Sequence, residues 1–144
     1  MIKTFAGKLE DLEMRKIRLG TVQGLMGYRI KKFSVITADT VGSIESANLI
    51  AIFKQPQTAA PDAVDFDSPT VLAAIDYRQH SNEGYGIVAN NIVFSQDVFN
   101  QDIYITNRDN NTGAAMNYYL ELEQVKLDLN ESTVATLKDM RGRE

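Results

Sequence analysis

The sequence has 144 residues, 44% of them apolar, with 15 Lys/Arg, 19 Asp/Glu, no cysteine and a net charge of −4. That length suits one domain burying its own core, without disulfides or thiolate metal sites, as fits a cytosolic or bacterial origin; no run approaches the roughly eighteen apolar residues of a membrane-spanning helix, and an apolar signal-peptide core is missing at the N-terminus. Charge is polarised, +5 over residues 1–32 and −9 over the remaining 112, which suits contact between neighbouring copies or a basic arm against an acidic partner, and equally a solvated first hairpin.

Ile2 to Leu9 alternates loosely and is thinly apolar, as in a short strand or a terminal arm that needs another surface to hold it. Glu10 to Arg18 mixes charges and reads as a second strand ending at Leu19. Gly20, Gly24 and Gly27 mark a turned connection. Their spacing is not a dinucleotide fingerprint, and no lysine follows where a phosphate loop needs one. Tyr28 to Thr37 reads as a strand with apolar weight on both faces, which leaves Arg29, Lys31 and Lys32 at its exposed entrance, able to meet acidic groups of a neighbour or a phosphate. Tyr28 and Phe33 bracket these cations, as rings do on a single-stranded nucleic-acid platform, but the cluster is small and suits an ordinary edge strand better. Ala38 to Asn48 is expected to be a loop.

Leu49 to Phe53 is continuously apolar, the mark of a central strand covered on both faces. Lys54 to Pro69 holds all three prolines, which keeps it out of a sheet interior, and loops of this length are usually functional or interaction elements. Asp62, Asp65 and Asp67 lie within it without the spacing of a calcium loop, so a solvated acidic loop and no metal are expected. Thr70 to Tyr77 returns to strand chemistry, and Arg78 to Gly86 reads as a polar turn. His80, the only histidine, falls within six positions of Asp76 and Ser81, too close along the chain for a nucleophile, a base and an orienting group to converge from separate elements.

Ile87 to Phe94 makes a further strand with a bulge or tight turn at Asn90-Asn91, after which Val98 and Phe99 fold under a sheet edge. Asp102 to Thr106 is a half-buried strand, and the turn-rich Asn107 to Gly113 predicts an antiparallel hairpin joining it to the strand that follows. That last strand is the clearest of all: Met116, Tyr118, Leu120 and Leu122 alternate with Asn117, Tyr119, Glu121 and Glu123. Beyond Glu123 the apolar parity passes to Val125, Leu127 and Leu129, which implies a bulge or bend near Gln124. Asn130 is placed to cap a closing helix from Glu131 to about Met140, with Val134 and Leu137 toward the domain and a frayed tail after it.

The segments Val98-Phe99-Asn100-Gln101-Asp102-Ile103-Tyr104-Ile105-Thr106, Met116 to Leu127 and Ala135 to Arg141, with a fainter echo in Gly27 to Phe33, resemble small proteins of environmental, mostly marine, viruses of bacteria. The resemblance supplies no site residues. It implies a virion component, and capsid proteins often use jelly rolls, a step that rests on analogy. Together these readings predict a single all-β domain over residues 1–144: about eight strands in a two-sheet antiparallel sandwich, a single jelly roll, with a possible N-terminal arm over 1–9 and a short C-terminal helix and tail over 131–144. The expected protein is not an enzyme, takes no cofactor, and acts in the bacteriophage virion as a capsid component, meeting other copies of itself and other virion proteins through its terminal arms and the Lys54 to Pro69 loop. A second reading is a module that binds glycans or a host surface through that loop and Tyr77, Tyr85 and Tyr104. A third is a nucleic-acid binder using Arg29, Lys31 and Lys32.

Overall fold

In the computed structural model, residues 1–19, 26–39, 44–82, 85–127 and 135–137 are described, with side chains throughout except over 81–89. Period-two alternation resolves into eight strands: β1 (Ile2–Leu9), β2 (Met14–Ile17), β3 (Met26–Thr37), β4 (Ser46–Phe53), β5 (Val71–Asn82), β6 (Tyr85–Phe94), β7 (Ile103–Asp109) and β8 (Met116–Lys126). They form two antiparallel sheets, one in the order β1-β8-β3 and one in the order β2-β7-β4-β5-β6. Each sheet turns one parity inward. The small sheet contributes Leu9, Ile30, Phe33, Val35, Met116, Tyr118, Leu120 and Leu122, and the large one Ile17, Ile50, Ile52, Ile75, Ile103 and Ile105, to a single shared core. Most of these are β-branched or aromatic, the types that pack best on a pleated surface. The result is a sandwich-like all-β domain.

β8 is the central strand of the small sheet, so its inward residues are covered from both sides: Leu120 lies between Phe5 on β1 and Phe33 on β3. The first residues are therefore not a loose arm within this chain. β1 pairs with β8 along its whole length, from Ile2 opposite Glu123 to Leu9 opposite Met116. Of the bulge or bend expected near Gln124, no bulge forms there. Pairing runs on to Lys126, and the register shift falls on β3 between Ile30 and Lys32, making Lys31 the extra residue. An edge strand absorbs such a mismatch without breaking a second ladder.

Four more expectations are corrected. The described residues of Arg78 to Gly86 are strand and not turn: β5 continues to Asn82 and β6 has begun by Tyr85. The strand persists through polar sequence because Gln79, which faces inward, donates its side-chain amide to Ser46 Oγ at 2.9 Å and Thr37 Oγ1 at 3.1 Å. Asn90 and Asn91 pair in unbroken register with Tyr77 and Asp76, without a bulge or turn. Finally, β7 and β8 are not a hairpin. β7 sits between β2 and β4 in the large sheet and β8 between β1 and β3 in the small one, so residues 110–115 carry the chain from one sheet to the other. The loop expected over Ala38 to Asn48 also ends early, since β4 starts at Ser46.

Phe99 is buried as expected. Its backbone bridges Tyr28 through two hydrogen bonds of 2.7 and 2.9 Å, with the two rings 6.5 Å apart. Of the closing helix, residues 135–137 form one helical turn, with Ala135 buried and Thr136 Oγ1 accepting from Asn100 Nδ2 at 2.8 Å. Asn130, Val134, the tail, Gly20 and Gly24 lie outside the described residues. Among the described residues no helix is long and apolar enough to cross a membrane.

Candidate functional site

Three surfaces gather the residues that the sequence singles out. The first is the outer face of the small sheet. Register places Arg29 directly across from Glu123 and Lys32 across from Glu121. Arg29 Nη2 donates to Glu123 Oε2 at 2.8 Å, and Lys31 Nζ stands 3.8 Å from the same oxygen. The Lys32 ammonium lies 5.7 Å from the centre of the Tyr119 ring, whose hydroxyl donates to Glu121 Oε1 at 2.9 Å. The hydrogen bond from Arg29 holds the Glu123 carboxyl below its ordinary range, and the bond to Glu121 raises the Tyr119 hydroxyl. Exposed pairs of this kind add little stability. Their consequence is electrostatic: the basic entrance of β3 meets acids of its own chain, so a phosphate would have to compete with Glu121 and Glu123 for the same cations.

The three tyrosines do not assemble into a common platform. Tyr77 is 3% exposed, on the inner face of β5 with Ile75. Burial raises its hydroxyl pKa, opposed by a hydrogen bond with the Thr37 backbone. As a surface contact residue it is therefore corrected: strand parity sends its ring into the core. Tyr104 is half-buried on the opposite face of the large sheet, across from Lys16 and Phe53. Tyr85 pairs with Asn82 at the start of β6, and its side chain is outside the described ones.

Instead of projecting, the segment from Lys54 to Pro69 lies over the outer face of the large sheet. Val64 packs with Leu49, Ala51, Phe53, Val71 and Ala74 in a second apolar cluster. Arg108 Nη1 donates to the Ala60 carbonyl at 3.2 Å, and the Gln57 N–H points at Met14 Sδ at 3.1 Å. At the tip, Phe66 is 61% exposed beside Val93 of β6, which is 50% exposed. With Pro69, Val71 and Phe94 they line an open groove of about 400 Å³. Asp65 Oδ1 accepts the Asp67 N–H at 2.9 Å within a local turn, and among the described residues no three acidic or histidine groups converge as a metal site. His80 is exposed on β5. Asp76 shares its face but stands four residues away, roughly 13 Å along an extended strand, too far to orient the imidazole. The Asp76 carboxylate is paired instead with Arg78 at 3.3 Å.

One organising residue escaped the sequence reading. The Asp109 carboxylate accepts from the N–H groups of Ala47 (3.0 Å), Asn111 (2.9 Å), Thr112 (3.2 Å) and Ala114 (2.7 Å) and from Thr112 Oγ1 (3.1 Å). Its own N–H donates to Asp11 Oδ1 at 2.7 Å. Nearby, Asn107 Nδ2 donates to the carbonyls of Leu9 and Ala114, and its Oδ1 accepts from Asn48 Nδ2 at 2.9 Å. Together these bonds make the corner where the chain changes sheet. The signal was present as Asp-Asn-Asn-Thr-Gly, an Asx-turn composition. Compared with known proteins, the chain matches no family model, no curated protein and no solved structure.

Proposed function

We propose that the protein is a non-enzymatic structural component of a bacteriophage virion, a capsid protein built as a single jelly roll and assembling as symmetric copies in contact with other virion proteins. The observation that carries this reading is the pairing pattern. β1 pairs with β8, β2 with β7 and β4 with β5, each strand of the first half meeting its mirror counterpart in the second. A hairpin strip rolled into two sheets produces that mirror order, which is the architecture of a jelly roll. The remaining mirror pair, β3 and β6, lies in contact without a ladder, because β6 stays with β5. The outer face of the large sheet, covered in its middle by the Lys54 to Pro69 segment, and the internally neutralised face of the small one also suit a protein that acts by contact at its rim. Measuring the mass of the purified chain across concentration and salt tests the reading. Assembly into a discrete oligomer is expected, and a monomer under every condition would overturn it.

A further inference from the structure

The four strands that end the two sheets are not alike. β1 carries Lys3 and Lys8, β2 is four residues long and carries Arg15 and Lys16, and β3 carries Arg29, Lys31 and Lys32 with a bulge between them. Lysines, brevity and bulges are the devices by which sheet edges resist pairing with another chain. β6 has none of these. Its ten residues, Tyr-Gly-Ile-Val-Ala-Asn-Asn-Ile-Val-Phe, hold no charge and no proline, and its pairing with β5 is free of register shifts. β3 comes near it, yet no ladder joins the two, so among the described residues no strand pairs with the outward N–H and C=O groups of β6. Asn90, Asn91, Ile92 and Val93 are exposed, Ile92 by 42%, and Val93 continues into the apolar groove beside Phe66.

We propose that the Asn90–Phe94 half of β6 is the surface by which two copies of this chain join, strand to antiparallel strand about a twofold axis. The chemistry selects this occupant. An uncharged strand has no electrostatic preference for an unlike partner, and its own copy is complementary to it in backbone bonding, in the Asn side chains and in the apolar Ile92 and Val93. A twofold contact also needs only one surface. β6 would then pass from the rim of one sheet to the middle of a continuous sheet spanning both copies. This inference rests on the self-assembly reading above and specifies its contact.

Two sets of variants of the full chain test it. Val93→Lys and Asn91→Lys place like charges across the axis, and weakening of the dimer on the order of 100-fold is expected, with melting unchanged from wild type at a concentration low enough that both are monomeric. Because the chain has no cysteine, single variants Asn90→Cys, Asn91→Cys, Ile92→Cys and Val93→Cys report proximity directly. On oxidation one or two adjacent positions should form linked dimers, while Thr4→Cys on β1 should not. If wild type assembles but the lysine variants keep its mass and β6 cysteines link no better than Thr4→Cys, the β6 contact is wrong and self-assembly stands. A wild-type chain monomeric at every concentration and salt overturns both.

Discussion

Removing the Asp109 carboxylate should unfasten the corner between the two sheets. In Asp109→Ala the Ala114 N–H, buried and bonded at 2.7 Å, loses its acceptor where water cannot replace it, whereas Asn111 and Thr112 are exposed and can turn to solvent. A buried orphan donor costs about 1–3 kcal/mol, and losing the half-buried bond from Ala47 adds to it, for a total of about 3 kcal/mol. For a domain of this size that lowers the melting temperature by about 6–12 °C. Asp109→Asn keeps one acceptor oxygen but turns an amide N–H₂ toward the remaining donors, so about 2 kcal/mol is expected. The pH dependence sharpens the test. Burial raises the Asp109 pKa, but the N–H groups of Ala114, Ala47, Asn111 and Thr112 outweigh it and the net value is lowered. A carboxylate depressed on folding stabilises fully above its unfolded pKa of about 3.9 and loses that contribution as pH falls through the folded value. The gap between wild type and Asp109→Asn should therefore be constant from about pH 7 to 5 and close in more acidic solution. Urea melts of both proteins across pH check this. A gap under about 0.5 kcal/mol at neutral pH, the size of an ordinary surface change, would refute the role assigned to the carboxylate.

Gly27→Ala should destabilise by about 1–3 kcal/mol, since the added Cβ would stand 2.7 Å from Val98 Cγ1 and 3.1 Å from Leu127 Cδ1; thermal melting reads it. Leu12 adopts φ 66° in the turn between β1 and β2, so Leu12→Asn, a residue that tolerates this region, should stabilise by up to about 1 kcal/mol. Replacing Glu121 and Glu123 together by Gln uncovers Arg29, Lys31 and Lys32. The double variant should be retained on single-stranded DNA at low salt with steep salt dependence, and wild type should not; equal retention of both would restore a nucleic-acid role to this face.

What the sequence disclosed follows the locality of each cause. Met116 to Glu123 was legible because a strand with one covered face writes its burial into its own alternation. Leu49 to Phe53 was legible because both faces are covered. Arg78 to Asn82 was misread because the inward Gln79 is satisfied by Thr37 and Ser46, partners 42 and 33 residues away. The turn after β7 was legible as a reversal, but its destination is fixed by Asp11, 98 residues distant, which local composition does not encode. Likewise the acids that neutralise Arg29 and Lys31 stood in plain view on the strand ending at Lys126. Only the pairing of β3 with β8 shows that they meet within one chain.

A twofold contact through β6 closes at two copies, so a shell would need a second contact that does not close. Charge supplies a candidate chemistry where a cation of residues 1–32 is not spent on its own chain: Arg18 is exposed and, among the described residues, meets no acid, and a basic surface that meets an acidic one does so head to tail. The two kinds of contact should then separate by salt. Backbone pairing and apolar burial at β6 survive screening, while attraction between charged surfaces fades as the Debye length falls from about 10 Å at 0.1 M to about 3 Å at 1 M. The expected outcome is larger assemblies at low salt and dimers at high salt, read by sedimentation, with Val93→Lys removing the dimer but leaving the salt-sensitive association. If high salt instead yields monomers from wild type, the contact that holds two copies together is electrostatic, and the uncharged edge is not what joins them.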